Sequence, residues 1–475
     1  MKLEKKYGLL MSITMVVGIV IGSGVFFKAQ TILEKTEGNV GIGILAWVIG
    51  GINMIICGLA FAILASKYGR VNGLVDYCEA TVGKKYSDIF SWFLTFIYYP
   101  AMTSVLVWVT ARYTGVLFDW ELNSANVMVL SLLFLLISFT INALAPKIAG
   151  KVQISTTVIK LIPLLLLAVV GIIYGLFNNV IRFEVVEGTN QIISTGTNRM
   201  QLLIENFKVE GNNSASALLA AVVSSAFAYE GWIIATSING ELKNAKRNLP
   251  LALIIGCIII MLVYIVYYIG VLGGASSDVL IHGGTQYAFY QIFGNYIGTI
   301  LNVFVIISCF GTLNGLMLAT TRSFYTMAER GVGITPKIFD QVDENTNMPT
   351  NSSIASALVV GVWLVFFYAT NLTDGWFGNF KFDSSELPIV TIYAMYIPIF
   401  IMLMIKERKI LGVFKGIIMP LLAILSCLFM VYASVIAHYD TILYYFITYL
   451  VIMAIGILTI FFNYKKNPLV KEIKK

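Results

Sequence analysis

The stretch VVGIVIGSGVFF, residues 16–27, decides the fold because it places three glycines inside an apolar run. A glycine within a helix costs about 1 kcal/mol relative to alanine. Gly18 and Gly22 have the spacing of close helix packing in membranes, but Gly24 lies off that face. A break at Gly22 accounts for all three positions better, because it frees the backbone N–H groups that follow it. The sequence therefore predicts an interrupted helix whose second half begins with a carboxylate-binding N-terminus at residues 23–25.

Apolar runs of similar length recur along the whole chain of 475 residues, of which 58% are hydrophobic and 12% charged. A membrane-spanning helix needs about 20 predominantly apolar residues. The composition therefore predicts an all-α polytopic membrane protein. The twelve predicted spans are residues 8–33, 41–65, 88–118, 126–146, 152–178, 215–238, 250–273, 288–325, 352–370, 388–405, 413–436 and 440–463.

The distribution of Lys and Arg sets the expected orientation. Basic residues concentrate at the start of the chain, in alternate connections and in the tail. The opposite connections carry only Lys28, Lys35, Arg112, Arg182, Arg199, Lys208 and Lys381. By the positive-inside rule, both termini are expected in the cytoplasm. The net charge of +7 is thus a topology signal, and no basic patch points to nucleic acid.

Catalytic and metal chemistry have little support in the sequence. The two histidines, His282 and His438, fall in predicted external connections, and no Cys/His cluster has ligand spacing. None of the five cysteines falls in a predicted external loop, so no disulfide framework is expected. A membrane enzyme needs acid–base groups within reach of each other, and a channel needs rings of similar groups. Neither pattern occurs, and no cofactor is expected.

Two ionisable residues fall deep inside predicted spans, Lys160 in the fifth and Glu230 in the sixth. A charge at this depth is costly and usually faces a cavity with a functional partner. Lys160 has a second interpretation, as an ammonium that reaches the interface or bridges to a neighbouring carbonyl. Glu230 and Gly231 interrupt FAYEGWIIATSINGE, residues 227–241, and predict a second broken helix with free carbonyl groups.

The two interrupted helices are five spans apart. Broken helices in corresponding positions indicate an inverted-repeat transporter with its substrate between them. Amide donors in the first span and carbonyl acceptors in the sixth suit a zwitterion, as in the backbone of an amino acid.

Five motifs resemble those of the amino acid–polyamine–organocation superfamily, and more narrowly its L-type amino acid transporters, which include bacterial serine/threonine and alanine/serine/cysteine exchangers. They are GIVIGSGVF (18–26), FAYEGW (227–232), GELKNAKRNLP (240–250), CFGTLNG (309–315) and TRSFYTMAERG (321–331). The resemblance runs from about residue 8 to residue 410. It implies a first five-helix repeat over residues 8–178, an external loop over 179–214, a second, inverted repeat over 215–405, two appended helices over 406–463 and a basic tail over 464–475.

The resemblance also implies roles for single residues. Gly22 would permit the break, and Ser23, Gly24 and Val25 would hold the substrate carboxylate. The substrate amine would bind the carbonyl groups of Phe227, Ala228 and Glu230, with the Phe227 ring as a gate. Lys160 would stand where sodium-coupled relatives bind a cation, and coupling would involve Gly18, Tyr264 and Asn314.

The resemblance implies sodium-independent exchange of small neutral amino acids such as Ala, Ser, Thr or Cys. Proton coupling, cationic substrates (because of Glu230) and a transporter-like amino acid sensor remain alternatives. The connection DWELNSAN (119–126) has no cysteine, so no disulfide-linked heavy-chain partner is expected. The expected location is the cell membrane, as the cytoplasmic membrane of a bacterium.

Overall fold

The computed structural model describes residues 8–68, 73–121, 124–185, 192–232, 243–373 and 376–466. Within these ranges the chain is helical apart from one pair of strands and the connections. The helices are α1 Leu9–Val20, α2 Ser23–Lys35, α3 Val40–Tyr68, α4 Leu74–Thr81, α5 Lys84–Phe93, α6 Tyr99–Val116, α7 Ala125–Leu144, α8 Pro146–Ile159, α9 Leu161–Phe177, α10 Leu202–Lys208, α11 Ala215–Tyr229, α12 Ala245–Gly274, α13 Ser277–Gly283, α14 Gln286–Thr321, α15 Ser323–Glu329, α16 Pro336–Phe339, α17 Thr350–Phe367, α18 Leu387–Val413, α19 Met419–Ala437 and α20 Ile442–Lys466. π-helical turns occupy Leu94–Tyr98, Tyr368–Leu372 and Phe414–Ile418.

Each of the twelve predicted spans falls on one or more of these helices. Over the described ranges, eight helical stretches are long and apolar enough to cross a membrane, and the bent pair at the start of the chain makes a ninth. The stretch Leu387–Ala437 turns at Gly412, which has a φ of 73°, and therefore contains two predicted spans. The apolar helices α9 and α11 are shorter and lie in the fifth and sixth spans. The prediction of an all-α integral membrane protein is confirmed.

The break in the first span lies where the glycines predict it. Helix α1 ends at Val20, Ile21 and Gly22 are extended, and α2 begins at Ser23. The two segments of the span are bent by 51°. The first N–H groups of α2 and the last carbonyls of α1 therefore have no partner within their own helices.

The sixth span ends as a regular helix at Tyr229. Glu230 is extended, and Gly231 has a φ of +106°, a conformation that side chains disfavour. Residues 233–242, which include the end of the predicted span, lie outside the described residues.

The fifth span differs from the prediction of one helix over 152–178. It consists of α8, which begins earlier at Pro146, and α9, and the two meet at Lys160. Pro163 lies in the first turn of α9, where it has no N–H to donate to the preceding turn. Lys160 itself keeps helical dihedral angles and its N–H bonds to the Thr156 carbonyl at 3.1 Å, so the proline removes a backbone hydrogen bond without breaking the span.

The predicted external loop contains regular structure. Strands β1 Asn179–Val185 and β2 Ile192–Gln201 pair antiparallel, with Val185 opposite Ile192, and α10 follows. The tip between the strands lies outside the described residues.

The chain divides into two compact units. The first consists of Met1–Gly69, Thr156–Ser308 and Leu425–Ala437, and the second of Arg70–Ser155, Cys309–Ile424 and His438–Lys475. In the first, Trp47, Tyr229 and Tyr264 form a buried aromatic cluster. In the second, Phe90 stacks on Tyr396 in the interior.

Candidate substrate-binding site

The N-terminus of α2 is a buried set of backbone donors. Gly22 is the N-cap residue, and within the described part of the chain no side chain caps the helix. Ser23, Gly24 and Val25 are all buried. Such a helix end carries N–H groups and a positive partial charge, so it suits a carboxylate.

Gly24 brings this N-terminus directly against α11. A Cβ atom on Gly24 would lie 2.6 Å from the Cα of Ala228, which is closer than real Cβ atoms approach backbone. Only glycine permits this contact. The structure therefore brings together the two stretches that the sequence assigned to the opposite ends of a zwitterion.

The carbonyl side of the site lies at the end of α11. The carbonyl of Phe227 accepts from the N–H of Glu230 at 3.4 Å. The carbonyl of Ala228 accepts from the hydroxyl of Tyr264 at 3.0 Å. A carbonyl oxygen has two lone pairs, so both can accept a further hydrogen bond. Glu230 itself is partly exposed.

Lys160 and Tyr264 both bind the end of α1. The Lys160 ammonium donates to the carbonyl of Gly18. The Tyr264 hydroxyl lies 3.2 Å from the carbonyl of Val20, in addition to its bond to Ala228. These carbonyls belong to the last turn of α1, where intrahelical partners end and a cation is favourable. Tyr264 thus connects the broken end of the first span to the end of α11.

The ring of Phe227 packs against α2. The centroid of the Phe227 ring lies 6.2 Å from the centroid of the Phe27 ring. The Lys28 ammonium lies 5.2 Å from the Phe227 centroid. Lys28 is 1% exposed and lies within α2, although the sequence assigned it to a connection. Arg112 is likewise buried within α6, with its guanidinium over the Trp108 ring.

The burial of Lys28 and Arg112 was not predicted from the sequence. A hydropathy average along the chain does not show whether a cation near the end of a span is solvated or packed inside the protein. The aromatic neighbours FFK in sequence were the available signal for Lys28. Two acidic residues beside the starts of predicted spans, Asp88 and Glu386, are also buried.

Asn314 lies in the second unit, whereas the other predicted site residues lie in the first. Its amide donates to the carbonyl of Ala149 at 3.1 Å and accepts from Asn142 at 2.9 Å. These bonds connect α14 to α7 and α8. Among the described residues, no group of three or more His, Cys, Asp or Glu residues is placed to hold a metal ion.

A span interrupted by an extended segment, with the N-terminus of its second helix packed against the carbonyl end of another interrupted span, is the arrangement of a membrane transporter. The sequence profile of the family described as amino acid permease matches residues 7–460. The chain belongs to this family, and it is a transporter rather than an enzyme.

Named relatives agree with this family. The chain is 29% identical to the serine/threonine exchanger SteT of Bacillus subtilis (strain 168), over 91% of this chain and 92% of that protein. It is 25% identical to the b(0,+)-type amino acid transporter 1 of Mus musculus, over 76% of this chain and 70% of that one. It is 23% identical to the cystine/glutamate transporter of Homo sapiens, over 70% of this chain and 62% of that one.

Proposed function

We propose that this protein is a sodium-independent exchanger of small neutral L-amino acids that works by alternating access. The observation that carries the proposal is the contact of the α2 N-terminus with the end of α11 at Gly24 and Ala228. The substrate carboxylate binds the N–H groups of residues 23–25, and its ammonium group binds carbonyl oxygens at Phe227, Ala228 and Glu230. Phe227 closes over the bound substrate.

Sodium independence is supported by Lys160. Its ammonium binds the Gly18 carbonyl at the end of α1, an acceptor that would otherwise be available to a cation. A fixed positive charge at the end of α1 supplies the favourable interaction with the helix dipole that a bound metal ion would provide. The same contact links the position of α1 to the fifth span, which makes Lys160 a candidate coupling residue together with Tyr264 and Asn314.

Small neutral substrates are supported by the 29% identity to a serine/threonine exchanger along nearly the whole chain. The other relatives carry names with different substrates, so the side chain accepted here belongs to the proposal. We further propose that the protein lies in the cell membrane of a bacterium with both termini in the cytoplasm. It acts without a disulfide-linked heavy chain.

The proposal is tested with purified protein in liposomes. Labelled serine or alanine should enter only when unlabelled amino acid is inside, and replacement of Na⁺ by choline should leave the rate unchanged. Equal uptake into empty liposomes would contradict exchange, and stimulation of that uptake by an inward proton gradient would identify a proton symporter. Binding without any transport would identify a sensor.

A further inference from the structure

Lys28 is a buried cation that the proposed transport cycle does not use. It lies in α2, and its side chain is 1% exposed although the residue is basic. A charged side chain is rarely placed at such a position unless it has a function there.

The geometry directs the Lys28 ammonium toward the candidate substrate site. Lys28 follows Gly24 by four residues, so the two residues lie on one face of α2. Helical side chains lean toward the N-terminus of their helix, which directs the Lys28 chain back toward the amide donors. Its ammonium lies 5.1 Å from the centroid of Phe27 and 5.2 Å from that of Phe227.

We propose that Lys28 sets the charge selectivity of the substrate side chain. The ammonium makes the wall beside Phe227 positive, so the site rejects amino acids with cationic side chains and favours neutral and acidic ones. The proposal rests on the proposed transport function and refines its substrate class. The charge of Lys28 is opposed by that of Glu230, which on its own would favour a cation. Among the described residues, Glu230 is the only acidic residue of the candidate site.

The rings of Phe27 and Phe227 hold the ammonium in place. Each ring face attracts a cation, and burial strengthens that attraction because water does not compete. For a second positive charge on a bound substrate, we take a separation of roughly 7–10 Å from this ammonium. At an effective dielectric constant of about 20, this repulsion weakens the binding of a cationic substrate by roughly 10- to 50-fold. Glu230 is partly exposed, so solvent weakens its opposing effect.

The experiment compares exchange of serine, arginine and aspartate by the wild type and by Lys28→Met, which keeps the apolar chain between the rings. In the variant, the arginine-to-serine ratio of kcat/KM should rise roughly 10- to 50-fold. The aspartate-to-serine ratio should fall at the same time. A purely structural role would change all three substrates together and leave both ratios constant.

Lys28→Arg should retain the wild-type ratios because it keeps the charge. Lys35→Met, an exposed lysine at the end of the same helix, is the matched control and should also leave them unchanged. Constant ratios in Lys28→Met, or a wild type that exchanges arginine as readily as serine, overturn the proposal. If Lys28→Met does not fold, Lys28→Gln takes its place in the same comparison, and a wild type that accepts arginine still overturns the proposal. Absence of serine exchange in the wild type would instead refute the proposed function.

Discussion

The carbonyls at the end of α1 are the point where single residues connect three spans. The Gly18 carbonyl accepts a hydrogen bond from the Lys160 ammonium, at the junction of α8 and α9. The Val20 carbonyl accepts one from the Tyr264 hydroxyl of α12. Both donors are buried. A buried carbonyl that loses its donor costs about 1–3 kcal/mol. The break at Gly22 therefore depends on residues distant in sequence to satisfy the backbone groups that it exposes.

Lys160→Met should slow exchange while the protein still folds. The variant keeps the apolar chain but leaves the Gly18 carbonyl without its donor, so α1 loses its connection to the fifth span. If about 1.4 kcal/mol or more of this loss appears in the rate-limiting conformational step, turnover falls at least roughly tenfold. The measurement is kcat and KM for serine exchange in liposomes.

Lys151→Met is the control for this substitution, because Lys151 is an exposed lysine of α8 on the same span. Its rate should match the wild type. Wild-type turnover in Lys160→Met would return Lys160 to the interpretation of a structural bridge.

At the scale of elements, the breaks that the sequence predicted are those produced by glycine. Gly22 and Gly231 interrupt otherwise apolar runs, and the helices end beside both. The junction of α8 and α9 at Lys160 was not predicted, but the backbone there stays helical, so the fifth span continues through it. The burial of Lys28 was missed because it depends on Phe227, which is remote in sequence.

A cluster of charged residues joins four elements of the second unit. Arg330, which follows α15, pairs with Glu79 of α4 and with Asp88 of α5 at 2.9 Å. Asp88 is fully buried and also accepts from Tyr464 of α20. Burial by itself lowers the pKa of Arg330, but the carboxylates of Asp88 and Glu79 raise it, and the net shift is upward. The guanidinium therefore remains charged and compensates buried carboxylate.

Arg330→Met should strongly destabilise the protein because it leaves Asp88 buried without its cation. Removal of one partner of a buried pair costs about 3–5 kcal/mol. The midpoint of thermal unfolding of the detergent-solubilised protein should fall, and adding Asp88→Asn should recover part of the loss. Lys337→Met, an exposed lysine of α16, should have no such effect. Equal midpoints for Arg330→Met and Lys337→Met would show that the cluster contributes little.

At the scale of the molecule, each compact unit contains helices of both proposed repeats. In two five-helix repeats, each span corresponds to the one five places later. The first and second spans lie in the first unit together with the described parts of the sixth and seventh. The fourth and ninth both lie in the second unit. The fifth span lies mostly in the first unit and the tenth lies in the second, so not every corresponding pair shares a unit. The repeats over residues 8–178 and 215–405 therefore stay a prediction.

The proposed orientation in the membrane rests on the distribution of Lys and Arg along the sequence. Two of the basic residues assigned to the side opposite the termini, Lys28 and Arg112, are buried within helices. Cytoplasmic termini therefore stay a prediction of the positive-inside rule.

Cysteine labelling tests this orientation directly, because all five native cysteines are buried and give little background. Asn379, in the connection between the ninth and tenth spans, and Gln341, in the connection between the eighth and ninth, are both exposed. In intact cells, a membrane-impermeant maleimide should label Asn379→Cys and leave Gln341→Cys unlabelled. Gln341→Cys should react only after the membrane is permeabilised. The reverse pattern would place both termini outside, and the substrate would then approach the broken helices from the opposite side.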